Sequence, residues 1–262
     1  MNALPQADAF RPDGGPALSV VIPVLDDAAA LAKCLALLAR QTRTADEVIV
    51  VDNGCSDTSA RVALDAGARV ITEPLRGIPA AAAAGYDAAA GEVIVRCDAD
   101  TRPPEDWLAR ISAAFADPGL DALTGPGRFY DVPRPVAALA SAAYSSGYRF
   151  GAGAALAGIP VWGSNFAMRR TAWQRCAEGI HRHRAGIHDD LDLSFQLAPW
   201  ATIRFDRRLR VGAAGRIFTG PGAFVRRFRW AFATLRLNWA VQSAGRRWLE
   251  RVIARRSATR RT

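Results

Sequence analysis

The chain has 262 residues, half of them hydrophobic, and a formal net charge of +9. That length holds one large α/β domain with an appendage, or two small domains, and the apolar fraction is ample for a packed core. The charge is lopsided: residues 223–262 carry eleven arginines against one acid, Glu250, which makes +10 there and leaves −1 for the rest. A nucleic-acid binder spreads basic charge over its folded surface, so no nucleic-acid partner is expected.

Cys34, Cys55, Cys97 and Cys176 lack paired spacing, which argues against a disulfide framework and a zinc site and fits a reducing, cytoplasmic compartment. Residues 1–17 contain Pro5, Pro12, Gly14, Gly15 and Pro16 without a basic or apolar leader pattern, and read as a disordered tail rather than a signal peptide. No apolar stretch reaches the length of a membrane span.

Leu18–Val24 is a buried strand, with Pro23 near its end where a ladder donor can be spared. Asp26-Asp27 follows, and Leu31, Leu35 and Leu38 recur at helical spacing within 28–39. Asp46–Asp52 is a second strand closing on an acid; Asn53-Gly54 signals a turn, and Ser56, Asp57 and Thr58 offer caps for a helix. Arg69–Thr72 is a third strand, and Arg76-Gly77 leads into an Ala-rich helix over 78–90. The fourth strand, Val93-Ile94-Val95-Arg96-Cys97, ends in Asp98-Ala99-Asp100. Strands and helices alternate four times in the first hundred residues, which predicts a doubly wound, mostly parallel sheet.

Beyond Asp100 the pattern predicts a helix from about Pro104, a strand at Leu120–Thr124 and a loop-to-strand segment over 163–170, with Thr171 capping the next helix. His188–Leu197 reads as an amphipathic helix with an acidic first turn, which suits the helix dipole on structural grounds alone. Residues 125–163 have no clear assignment. Residues 223–262 read as a basic amphipathic helical segment. Phe224, Phe228, Leu235 and Trp239 form one stripe and Trp230, Leu237, Val241 and Trp248 another, one side packing on the domain and the other facing an anionic membrane surface.

In a parallel sheet the acids after strands one, two and four lie along one edge, where α/β folds place ligands. Period-two alternation predicts that Asp98 and Asp100 share a side, and two close carboxylates call for a divalent cation between them; an acidic turn is the bland alternative. Asp52 with Asn53-Gly54 can accept hydrogen bonds from a base or ribose. Arg76 and the free backbone donors at Gly77 can meet a diphosphate. His181, His183 and His188 are either solvated loop residues or metal ligands. Trp162 either stacks on a sugar or packs.

The order Val-Val-Ile-Pro-Val, Glu-Val-Ile-Val-Val-Asp-Asn-Gly-Cys-Ser-Asp-Thr, Asp-Ala-Asp-Thr, Gly-Ser-Asn-Phe-Ala-Met-Arg-Arg and Asp-Asp-Leu-Asp-Leu-Ser resembles a family 2 glycosyltransferase of the GT-A fold over about residues 18–210. The resemblance implies a GT-A domain over 18–222. It also implies an inverting transfer of a sugar from a nucleotide-diphosphate sugar donor to an acceptor hydroxyl, dependent on Mg²⁺ or Mn²⁺. By motif, Asp52 contacts the nucleobase, Asp98 the ribose or metal and Asp100 the metal, with Pro23, Val24, Asp27, Arg76, Gly77 and Ala99 along the donor. Asp190 matches the catalytic base; Gly163, Ser164, Asn165 and Asp189 lie on the acceptor side. The acceptor is an unknown sugar, a lipid-linked molecule or a small molecule. The expected location is cytoplasmic, with peripheral contact to the inner membrane face.

The chain departs from the family pattern in places. Leu25-Asp26-Asp27 replaces the Tyr-Asn-Glu often seen after the first strand, and Asp189 is shorter than the usual Glu. Ala84 stands where Asn is common, and Arg226 replaces the Gln of the Gln-x-x-Arg-Trp motif of processive members, so processivity is not inferred. A nucleotidyltransferase and a non-catalytic nucleotide-sugar-binding relative are the alternatives. The first is disfavoured by acids where a Gly-rich basic loop belongs, the second by intact Asp98, Asp100 and Asp190.

Overall fold

The computed structural model describes residues 14–215 and 221–259; the reading of residues 1–13 as a tail lies outside them. Seven strands form one sheet in the order β3-β2-β1-β4-β7-β5-β8: β1 (Leu18–Val24), β2 (Glu47–Asp52), β3 (Arg69–Thr72), β4 (Val93–Arg96), β5 (Ala122–Thr124), β7 (Phe166–Arg169) and β8 (Ile203–Phe205). Only β7 runs antiparallel, between β4 and β5. A small parallel pair, β6 (Gly127–Phe129) with β9 (Val211–Ala213), lies apart. Strand order reverses at β1 and β4, and the crevice beyond their carboxyl ends is where such sheets bind ligands.

Alternation distributes the strand side chains to two cores. Leu18, Val20 and Ile22 of β1 and Val93 and Val95 of β4 pack with α1 (Ala28–Leu38), α2 (Ser59–Asp65) and α4 (Trp107–Ala114). Val21, Ile49, Val51 and Ile94 pack on the opposite face with α3 (Ile78–Ala88), α7 (Arg170–Cys176) and α8 (Asp189–Leu197). α3 sits close to the sheet because Gly85 has no side chain: a Cβ there would lie 2.3 Å from Val21 Cγ1 and 2.9 Å from Val51 Cγ2. Gly77 enters the same helix at φ +142°, a conformation side chains resist.

The unassigned stretch over 125–163 becomes a helical arm: α5 (Arg134–Gly147), a π-helical turn at Tyr148–Ala152 and α6 (Gly153–Leu156). The C-terminal segment folds as α9 (Pro221–Val241) and α10 (Ala244–Thr259). Ala231, Leu235 and Trp239 of α9 pack on a cluster of Leu156, Leu191 and Phe195. The Trp239 and Trp248 indoles donate to the Ala155 and Ala154 carbonyls at 3.0 and 2.9 Å. Phe228, Phe232 and Val241 stay exposed. The side chain of Phe224 lies outside the described residues.

Three local expectations shift. β4 stops at Arg96, so Asp98 and Asp100 sit in a turn closed by Thr101 rather than on the strand, and the period-two argument ends before them. Thr171 lies inside α7, which starts at Arg170, instead of capping it. Histidines read as solvated or metal-binding are partly structural: His181 Nδ1 lies 2.8 Å from Asp192 Oδ1, and His188 precedes α8 and donates from Nε2 to the Arg227 carbonyl at 3.0 Å.

Candidate active site

Three clusters line the carboxyl edge of the sheet. The first is built on Asn53, which is buried beyond β2. Its amide donates to the Glu73 and Leu75 carbonyls at 2.9 and 2.8 Å, and its oxygen accepts the Gly77 N–H at 2.7 Å. That clasp fixes the loop carrying Arg76, whose guanidinium donates to the Gly54 carbonyl at 2.9 Å. Asp52 Oδ1 accepts the N–H groups of Gly54 and Cys55, closing the Asn53-Gly54 turn. Asp52, Arg76 and Gly77, twenty-five residues apart at the extremes, thus meet at one corner beside the end of β1, where Val24 accepts the Asn53 N–H and Pro23 pairs with Val51. Asp26 beside them holds φ +50° while its carboxylate accepts from Ser56 and the Asp57 N–H.

The second cluster surrounds Asp100. With Asp27, Lys33, Thr101, Arg102 and Tyr130 it lines an open groove of about 220 Å³. The Tyr130 hydroxyl donates to the Asp100 carbonyl at 2.9 Å, and Arg102 covers the Tyr130 ring at 3.5 Å. Ala99, between the two aspartates, is buried in the α1-side core.

The third cluster centres on Arg96, which no motif singled out. Alternation turns it to the α3/α8 face, where its side chain is 2% exposed. Nη1 donates to Asp98 Oδ1 at 2.6 Å and to the Gly163 carbonyl at 2.9 Å, and Nη2 lies 3.6 Å from Asp189 Oδ2. The other Asp98 oxygen accepts the Ser164 hydroxyl. Partial burial works to raise the Asp98 carboxyl, but Arg96 and Ser164 outweigh it and hold the group below its ordinary value. Asp189 goes the other way: burial pushes it up to about 7 against the pull of Arg96, with Asp190 and Asp98 adding like charge. Neither Arg96 Nε nor Asp189 Oδ2 has a hydrogen-bond partner among the described residues.

α8 separates its three acids as a helix must, about 100° per residue. Asp189 faces Arg96. Asp190 accepts the Gly163 N–H at 2.9 Å and the Leu191 N–H at 2.8 Å, beside Tyr148 from the helical arm. Asp192 is fully buried and serves the scaffold, taking His181 and the Asn238 amide of α9. Asn165 is also enclosed: its oxygen accepts the Trp107 indole N–H at 2.9 Å and its amide donates to the Leu209 carbonyl at 2.7 Å. Trp162 packs, its ring filling the space a Gly127 Cβ would take and meeting Tyr144 at 6.4 Å. Arg227 of α9 lies beside Tyr144 and close enough to Asp98 to favour its charged form.

The structure therefore joins Asp98, Gly163, Ser164, Asp189 and Asp190 in one constellation, puts Asp27 with Asp100, and sets Asp52, Arg76 and Gly77 at the far corner. Sequence reasoning missed Arg96, Tyr148 and Arg227. The signal for Arg96 was a lone charge inside an apolar strand, which must find a partner.

The sequence of the chain matches a known family. The model for glycosyl transferase family 2 matches residues 19–176, more than half of the chain. The chain belongs to glycosyl transferase family 2. Among similar proteins, glycosyltransferase AglE of Haloferax volcanii is 30% identical over 118 residues, 42% of this chain and 39% of the relative. An undecaprenyl-phosphate 4-deoxy-4-formamido-L-arabinose transferase of Aeromonas hydrophila is 34% identical over 110 residues, 37% of this chain and 33% of the relative. The matched stretch is thus well under half the length of either curated relative. Mannosyltransferase PcManGT of Pyrobaculum calidifontis, solved with GDP-Man and Mn²⁺, superimposes with a TM-score of 0.63 at 22% identity, covering 84% of this chain and 63% of the other. Glucosyl-3-phosphoglycerate synthase of Mycobacterium tuberculosis, solved with Mn²⁺, UDP-Glc and phosphoglyceric acid, gives 0.57 at 20% identity, covering 86% and 80%. The fold is the GT-A fold, with its mostly parallel sheet between helices.

Proposed function

We propose that this chain is an inverting glycosyltransferase that uses a nucleotide-diphosphate sugar and a divalent cation, Mg²⁺ or Mn²⁺. The observation that carries the reading is the gathering of acids from four separate segments, Asp27, Asp52, Asp98-Asp100 and Asp189-Asp190, along the switch-point edge of one sheet. The oxygen-only donor set of Asp100, with Asp98 beside it, fits a hard cation, and the turn leaves Asp100 facing an open groove. Bound there, such an ion would neutralise charge on a departing diphosphate. Asp52 and Gly77 bind the nucleoside end, and Arg76 meets the phosphates with its remaining guanidinium donors. Asp190 takes the proton of the acceptor hydroxyl, held in aim by the Gly163 and Leu191 N–H groups. Gly163 and Ser164 border the acceptor, and Asp189 lies at its edge. Holding acceptor and sugar in line supplies much of the acceleration.

The name of the Aeromonas relative supports a lipid-linked acceptor as one class, a small-molecule acceptor being the other. A membrane-bound acceptor is in keeping with the surface of α9 and α10, where Phe228, Phe232, Val241, Leu249 and Ile253 are exposed among arginines. No helix of the described residues is long and apolar enough to cross a membrane, so contact through these helices would be peripheral.

A panel of UDP- and GDP-sugars with and without Mn²⁺, followed by thermal shift, tests the donor assignment. Binding that needs the ion, with release of free nucleoside diphosphate on turnover, is expected. Release of pyrophosphate would move the chain to nucleotidyl transfer, and no binding to any donor would leave a non-catalytic module.

A further inference from the structure

Arg96 is a deeply buried cation at the site that the donor and base assignments do not use. Burying a guanidinium is costly unless acids and carbonyls replace its water, and here three separate segments do so. Asp98 Oδ1 belongs to the turn after β4, the Gly163 carbonyl to the loop before β7, and Asp189 Oδ2 to the first turn of α8, at 2.6, 2.9 and 3.6 Å. The consequence for Asp98 is specific. One of its oxygens is given to Arg96 and the other to Ser164, so its charge is already met by protein groups, with Arg227 adding to the same effect. Asp189, with an oxygen that lacks a hydrogen-bond partner among the described residues, lies 3.6 Å from the same guanidinium.

We infer that Arg96 is the resident counter-cation of this carboxylate cluster and a positioning residue for Asp98, and that it sets how the divalent ion is loaded. With Arg96 in place, the acids exert little net attraction on a free ion. The ion is then held firmly only when a diphosphate adds its own oxygens beside Asp100, so ion and donor enter together. The inference rests on the proposed donor site, and it assigns a role to a residue of β4 that touches neither substrate nor the reacting atoms.

The test reads metal affinity and needs no acceptor. Mn²⁺ alone is titrated into the full chain by calorimetry and by the loss of its free paramagnetic signal, for the parent, Arg96→Met, Arg96→Lys and Asp100→Asn. The parent is expected to bind Mn²⁺ alone weakly and to tighten in the presence of UDP or GDP. Arg96→Met exposes the acids and is expected to bind Mn²⁺ alone about tenfold more tightly than the parent, the size of effect expected for removing one unit charge at short range behind partial solvent screening. Arg96→Lys, which keeps the charge, stays near the parent, and Asp100→Asn weakens the ion in both backgrounds. A purely structural role predicts the reverse, since a disturbed site binds less well. Unchanged or weaker Mn²⁺ binding by a folded Arg96→Met protein overturns the inference. Should that variant not fold, Asp189→Asn at about pH 8 carries the test from the other side: it leaves Arg96 with one acid fewer and is expected to weaken Mn²⁺ alone several-fold, and no change there also overturns it. If the parent binds Mn²⁺ but gains nothing from UDP or GDP, the donor reading fails separately, and the variant comparison with Mn²⁺ alone still stands or falls by itself.

Discussion

Replacing Asp190 by Asn is the most informative single change to the proposed base. In a carboxylate both oxygens accept: one takes the Gly163 N–H at 2.9 Å, the other the Leu191 N–H at 2.8 Å. An amide keeps one acceptor and turns an NH₂ group toward the other N–H, so one backbone donor loses its partner in a site where Asp190 is 8% exposed. Leaving a buried donor unpaired costs about 1–3 kcal/mol. For a domain of this size each kcal/mol lowers the melting temperature by about 2–4 °C. Loss of the proton acceptor is the larger effect, typically ~10²–10⁴-fold in rate, or about 2.7–5.4 kcal/mol of barrier. The assay is steady-state release of nucleoside diphosphate at saturating acceptor, with Mn²⁺-dependent nucleotide affinity and a thermal melt measured on the same preparation. The expected result is a collapse of kcat, a modest fall in melting temperature and nucleotide affinity close to the parent. Near-normal kcat refutes the assignment, and so does a loss confined to donor affinity.

Three further outcomes are expected. Asp100→Asn, on the wall of the open groove, should weaken nucleotide binding sharply in Mn²⁺; equal affinity, or indifference of the parent to EDTA, removes the metal assignment. Asp189 should leave a mark on stability against pH. Its native carboxyl is near 7 and an unfolded one near 4, so between those values the native state holds a proton the unfolded chain has lost. Stability therefore falls as pH rises through that window, by up to about 1.4 kcal/mol per unit, and is unaffected by this group below it. The Asp98 carboxyl, lowered by Arg96, contributes in the opposite sense and only at lower pH. Denaturant titrations from pH 4.5 to 7.5 should show the fall in the parent and its reduction in Asp189→Asn; identical slopes would dismiss the burial argument. Flotation with anionic and neutral vesicles checks the peripheral contact: Phe228 and Phe232, 63% and 64% exposed, should hold the parent to anionic vesicles, and changing both to Ser should release it. Binding that ignores lipid charge, or survives the double change, counts against that surface.

Local sequence determined most of the scaffold. Short β-branched runs and leucine spacing specify β1, β2, β3 and α1 to within a residue or so, because those signals live inside a single turn or strand. Acids placed at or just after the ends of β1, β2 and β4 marked the edge of the candidate site for the same reason. What the sequence left open was everything decided by partners far along the chain. Alternation makes Asp98 and Asp100 a same-side pair, yet β4 ends at Arg96 and the turn hands Asp98 to Arg96 and Ser164 while Asp100 lines the groove with Asp27. Asn53 and Asn165 look alike as loop amides, but one clasps the Arg76 loop and the other locks Trp107 to Leu209. The three acids of α8 are equivalent to the helix dipole and become distinct only through what packs on each: a buried guanidinium, a loop N–H, and a histidine with an asparagine from α9. Burial and partner choice are properties of the assembled sheet and its helices, so the chemistry of each carboxylate was settled by tertiary contact and not by its neighbours in sequence.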